Sequence, residues 1–165
     1  MKLQDLLTVV IPCKNERENI KNVLNSLNKQ KNSKGLLVIV ADISDDLVTV
    51  HHINSERNKN INILTINGGY PAYGRHQGAL MSETPYTLFL DSDMEIKDID
   101  FLEKILNEII TKKGSLLTCK VRTTDNKYNY VYKFFDLIQK FHRITGPFAS
   151  VLAQKTIHYF HQPIN

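Results

Sequence analysis

The chain has 165 residues, 42% hydrophobic and 23% charged, with a formal net charge of +4. That is room for one domain with a real core, of ordinary soluble composition. The charge is too small to argue for nucleic acid, though it suits a phosphorylated ligand or an acidic membrane face.

The opening MKLQDLLTVVIP pairs a short apolar segment with Asp5 and has no small-x-small cleavage pattern, so it is not read as a signal peptide. No window holds the ~18 apolar residues that a membrane span needs. Residues 6–13, LLTVVIPC, are an apolar, β-branched run that Pro12 is expected to end. Asn15, with Glu18 three residues on, predicts a capping-box start for a helix with Ile20, Val23, Leu24 and Leu27 on one face. Residues 35–44, GLLVIVADIS, and 61–67, INILTIN, predict a second and a third buried strand, with a weaker helix or loop at 45–58.

Gly and Pro make 68–74, GGYPAYG, a loop, followed by a short helix to about Glu83 and a strand over 86–91. Ile99, Leu102, Ile105, Leu106, Ile109 and Ile110 mark another helix, and 115–123, SLLTCKVRT, a fifth strand. Residues 128–146 read as one helix ending at Gly146 before Pro147. Its apolar face is too broad for a simple surface helix, so burial against the sheet or a partner subunit is expected, with a peripheral membrane contact as the alternative. FASVLAQKTIHYF, 148–160, offers a last strand and a short helix.

Cys13 and Cys119 lie in apolar runs without a CxxC neighbour, so the expectation is two reduced core thiols and a cytoplasmic protein. His158 and His161 share a possible helix face but have no third ligand nearby, and His51–His52 read as surface. GxGxxG and Walker loops are absent, so dinucleotide and NTPase readings lack their phosphate cradle.

Strands alternating with helices, each strand apolar almost throughout, predict an α/β fold with a mostly parallel central sheet flanked by helices. Ligands of such sheets sit outside the carboxyl ends of the strands. Asn15 and Glu16, Asp42, and Asp91 with Asp93 all fall just past such ends. The last pair closes YTLFLDSDMEI, 86–96. Two carboxylates one residue apart reach one site only where the chain leaves strand geometry. Oxygen-only ligands there suit magnesium or manganese, with waters and ligand phosphates completing the shell. The plain alternative is helix capping or solvated loop charge.

TVVIPCKNERENI, VIVADISDD, GRHQGAL and LFLDSDME stand in the order and spacing of the family-2 glycosyltransferases of the GT-A fold, which residues 6–123 resemble well and 124–160 loosely. The resemblance implies a Rossmann-like, nucleotide-sugar-binding domain over 1–165, with a nucleotide-sugar and metal part at 1–123 and a partial acceptor-side part at 124–165. It puts Pro12, Cys13, Asn15 and Glu16 in the loop lining the nucleoside pocket and Asp42 on the base. Arg75 falls near the base and phosphates, Asp91 and Ser92 at the nucleotide, and Asp91 with Asp93 at a divalent metal, Mn2+ or Mg2+. The implied reaction is inverting sugar transfer from a UDP- or GDP-sugar to a glycan, a lipid phosphate or a protein.

The sequence departs from the family pattern at Ala41 and Ile43 in the turn around Asp42, at His76 beside Arg75, and at Lys14, where an aromatic is common. The family's catalytic base lies beyond the stretch corresponding to 148–160, and only Asp125 and Asp136 are acidic after the fifth strand. The expectation is therefore a chain truncated at the acceptor side, with no base assignable. Two other readings stand beside it: a non-catalytic or partner-dependent nucleotide-sugar module, and a phosphatase of the haloacid-dehalogenase type, whose Asp-x-Asp also follows an apolar strand.

Overall fold

Seven residues, Leu7–Cys13, form strand β1, and all seven are buried. Such a strand must be flanked on both edges and covered on both faces. In the computed structural model, which describes residues 2–57, 59–114, 117, 119 and 160–161, it is. Beside β1 lie β2 (Leu37–Asp42) and β4 (Tyr86–Phe89), with β3 (Asn62–Asn67) outside β2 and β5 (Phe160–His161) outside β4. The order is β3-β2-β1-β4-β5, with the first four strands parallel and β5 antiparallel to β4. This is the parallel α/β sheet that the sequence pattern predicts.

Helices α1 (Arg17–Asn28), α2 (Leu47–Glu56) and α3 (Pro71–Leu80) join successive parallel strands, and α4 (Phe101–Thr111) follows β4. Right-handed crossovers put α1 and α2 on one face and α3 on the other. Accordingly α1 packs on α2, while α3 packs on β1 and β2. The chain divides into two compact units, one of Met1–Leu117 with His158–Asn165 and one of Thr118–Ile157. In the second, the described residue Cys119 is half-buried. The fifth strand expected at 115–123 lies, apart from Leu117 and Cys119, outside the described residues, as do the 128–146 helix and His158. His161 sits in a strand, not on the helix face read for it.

Progress from β1 to β2 to β3 runs one way across the sheet, and the return to β4 runs the other, so the order reverses between β1 and β4. A crevice opens at such a switch point. Pro12 sits at its lip. It does not end β1, which continues to Cys13. Val10 O accepts from Leu90 N at 3.0 Å, so Pro12, two residues on, turns its missing N–H to the same side. There β1 and β4 have stopped pairing, at Val10 and Phe89. A proline costs no ladder bond at that place.

Several local expectations from the sequence do not hold. Asn15 takes a positive φ of 55° and does not cap α1, whose N-cap Glu16 makes no side-chain cap bond. Instead Asn15 Oδ1 accepts from Asp45 N at 3.0 Å and Asp46 N at 3.3 Å, tying the loop after β1 to the loop after β2. Glu18 turns to His52 Nε2 at 2.9 Å, so His52 bridges α1 and α2 and is not a plain surface residue. The segment 68–74 is only half a loop, because Pro71 opens α3 at its first turn, where a missing N–H is harmless. Strand β3 is a half-exposed edge, not a buried strand. Its outer carbonyl, Ile63 O, accepts from Arg57 Nη1 at 3.3 Å, while Arg57 Nη2 reaches Thr65 Oγ1.

The closeness of α3 to the sheet depends on Gly74 and Gly78, one turn apart and both buried. A Cβ at Gly78 would stand 2.4 Å from Val10 Cγ1, and one at Gly74 would stand 2.8 Å from Gly68 O. Gly78→Val is expected to cost about 3 kcal/mol or more by overpacking. That corresponds to a melting temperature lowered by roughly 6–12 °C in a chain of this size, checked by calorimetry.

Candidate functional site

Beyond the carboxyl ends of β1, β2 and β4 lies a cavity of about 590 Å³, within the range of small-molecule sites. Strand β4 delivers Leu88 and Leu90, both buried, and the chain then turns, with Asp91 O accepting from Met94 N at 3.1 Å. The turn frees Asp91 and Asp93 from the alternation of a strand, and both line the cavity with buried Ser92 between them. Across the crevice, Pro12, Cys13 and Glu16 line it from the end of β1, and Arg75 from the second turn of α3. The Arg75 Nη2 donates to Asp91 Oδ1, and both side chains are about one-third exposed, at 34% and 32%. These seven residues, predicted from distant stretches, meet in one place.

Asn15 and Asp42, read for the same pocket, are absent from its lining. Asn15 is engaged with the backbone of 45–46. Asp42 Oδ1 accepts from Ser44 N at 3.0 Å and Ser44 Oγ at 2.6 Å, closing the loop after β2 on itself. Asp125 and Asp136 lie outside the described residues.

The lining also includes Lys14, Ala41, Ile43, Gly69, Tyr70 and Pro71. Of these Tyr70 carries the signal that sequence reasoning passed over: a large aromatic between Gly69 and Pro71 in a loop, with nothing in its segment to bury it. The structure leaves its side chain 85% exposed. Gly68 packs where a Cβ would fall 2.2 Å from Ala41 O, so only glycine lets the chain turn there toward α3.

Cys13 is buried, and burial, then the negative charge of Asp42, push its thiol up to about 12. It is a packed wall rather than a nucleophile. In a Cys119→Ser background, Cys13 is expected to react with a disulfide reagent at pH 8 about a thousandfold more slowly than an ordinary thiol, and at the normal rate in denaturant. Because the unfolded thiol ionises first, native stability should also fall as pH rises from 9.0 toward about 12.

Three carboxylates, Glu16, Asp91 and Asp93, face two cations, Lys14 and Arg75, in the lining. The net charge is negative, so a bare diphosphate would be repelled and a divalent cation attracted. Among the described residues no group of three or more His, Cys, Asp or Glu is arranged around a metal position. Two carboxylates suffice for a hard ion that keeps waters and takes phosphate oxygens, so Asp91 and Asp93 fit magnesium or manganese as a donor pair. Among the described residues no helix is long and apolar enough to cross a membrane.

Solved structures of two other proteins carry the same architecture. S. aureus TarS 1–349 in complex with UDP is 28% identical with a TM-score of 0.64, over 73% of this chain and 37% of that one. The same protein is also solved with UDP-GlcNAc. Glucosyl-3-phosphoglycerate synthase from Mycobacterium tuberculosis in complex with UDP is 18% identical with a TM-score of 0.61, over 96% of this chain and 57% of that one. A further structure of that synthase holds Mn2+, UDP and phosphoglyceric acid. The chain thus spans well under two thirds of the length of either. No curated protein sequence matches it significantly. The profile described as Glycosyl transferase family 2 matches residues 8–163. With its parallel sheet, its switch-point crevice and Asp-x-Asp at the end of β4, the chain belongs to the family-2 glycosyltransferases and has their GT-A fold.

Proposed function

We propose that the chain is the donor-binding part of a metal-dependent, inverting glycosyltransferase that uses a UDP-sugar and passes the sugar to a hydroxyl or phosphate oxygen of a glycan, lipid phosphate or protein. The observation that carries this is the net negative lining at the switch point, with Asp93 exposed and Asp91 paired to Arg75. An acidic crevice that must admit a diphosphate is suited to one that enters with a divalent ion. The UDP and UDP-GlcNAc complexes of TarS and the Mn2+ complex of the synthase support the same reading.

In this reading residues 1–123 form the donor part and 124–165 the start of the acceptor side, in the cytoplasm, where Cys13 stays reduced. Pro12, Cys13, Glu16 and Ser92 form walls of the nucleotide pocket. Asn15 and Asp42 hold the two loops that frame it. Asp91 and Asp93 would hold the ion, which when bound would offset charge on the departing diphosphate. Arg75 uses one N–H on Asp91 and keeps further donors for phosphate oxygens. The acceptor oxygen, giving up its proton to a base, bonds to the anomeric carbon from the face opposite the diphosphate. The bond from that carbon to the phosphate oxygen breaks, and the nucleoside diphosphate leaves with the electron pair.

Calorimetric titration of UDP and GDP, each with manganese and with chelator, tests the donor site. The expected result is UDP binding that needs the metal. Binding of neither nucleotide in any condition would overturn the proposal.

A further inference from the structure

The cavity changes character along its length. At the β4 end stand Asp91 and Asp93; toward β2 and β3 the lining becomes Ala41, Ile43, Tyr70 and Pro71. Four strands at about 4.8 Å spacing make the rim from β4 to β3 about 14 Å long, enough for a nucleoside diphosphate laid across it. With the diphosphate at the acidic end, the nucleobase comes to rest at the apolar one.

Neither Asn15 nor Asp42, the polar residues expected at the nucleoside, lies in the cavity lining. Asn15 Oδ1 accepts from the backbone of the loop after β2, and Asp42 Oδ1 accepts from Ser44 within its own loop. Tyr70, by contrast, lines the cavity at 85% exposure from the N-cap of α3. Its backbone carbonyl accepts from Gly74 N at 2.9 Å in the first turn of α3. A ring held out at the wall of a cavity that Ile43 also lines offers a flat apolar surface. That surface suits the face of a base, not its hydrogen-bonding edge.

We infer that Tyr70 is the nucleobase platform of this chain: the base is bound by its face against the Tyr70 ring, and its edge is read weakly. The inference rests on the donor-site proposal. It sets selectivity as well as affinity. A site built to hydrogen-bond one base edge rejects the wrong base by about 10⁴-fold or more, whereas an apolar surface discriminates by only about 10–200-fold. Uracil and cytosine share a face and differ at the edge, so CDP should bind nearly as well as UDP.

The test is calorimetry with manganese and three probes, UDP, CDP and inorganic pyrophosphate, on wild type, Tyr70→Ala and Tyr70→Phe. The expected result is that Tyr70→Ala weakens UDP and CDP about tenfold or more and leaves pyrophosphate unchanged. Tyr70→Phe should retain both nucleotides, and an unchanged melting temperature should exclude unfolding, as the exposure of the side chain implies. CDP should lie within about tenfold of UDP on wild type. Wild-type UDP affinity in Tyr70→Ala, equal loss of pyrophosphate, or rejection of CDP by a thousandfold would each overturn the platform while leaving the donor site standing. A wild-type protein that binds none of the probes would overturn both.

Discussion

Asp93→Asn is expected to weaken manganese-dependent UDP binding by about a hundredfold or more, with no change in melting temperature. Asp93 is exposed, and among the described residues it makes no hydrogen bond or ion pair, so the fold gains nothing from its charge. A donor pair reduced to one carboxylate holds a hard cation far less well, while the amide keeps the size of the side chain. The contrast separates two readings of the same turn. If Asp93 is only solvated loop charge, the variant binds UDP as the wild type does, and calorimetry with and without chelator reports that directly. Residual binding by the variant should also lose its dependence on manganese.

Arg75→Ala is expected to weaken UDP about 10- to 100-fold, again with little effect on stability. The ion pair with Asp91 is one-third exposed on each side, and pairs in that position contribute only about 0–1 kcal/mol to folding. Binding is another matter. Loss of the guanidinium removes the phosphate donors and leaves Asp91 uncompensated beside an incoming diphosphate. Arg75→Lys should restore only part of the affinity, because a point charge cannot serve Asp91 and a phosphate oxygen at once as a planar fork can. A variant that unfolds, or a lysine that restores affinity in full, would show Arg75 to be a packing or simple charge residue.

The sheet was legible because its signals are local and strong. A run such as LTVVIPC has no stable home except between two strands, and the acids after Leu90 could only stand at a strand end. Where the reading failed, the deciding partner lay far away in sequence. Asn15 and Glu18 have capping-box spacing, yet Asp45, Asp46 and His52 outcompete the local bonds. Pro71 reads as a loop residue until it is seen that a first helical turn tolerates it. INILTIN gives the apolar content of a strand but not its position, and only the strand order shows that it is an edge. Tyr70 was hidden for a different reason: periodicity finds residues that the fold buries, not those it holds out for a ligand.

The two-residue strand β5 has a consequence for how the molecule is made. It pairs Thr87 with His161 and Leu88 with Phe160, joining the site-bearing strand to a segment synthesised much later. On the ribosome, β1 to β4 can assemble, crevice included, while the outer side of β4 still lacks its neighbour. During that interval the outer side of β4 is an open template for the wrong strand, whereas at the far side of the sheet Arg57 already bonds the outer carbonyl of β3. Non-local closure of this kind is slow, so the nascent chain's exposure to mispairing is set by the time translation takes to reach Phe160.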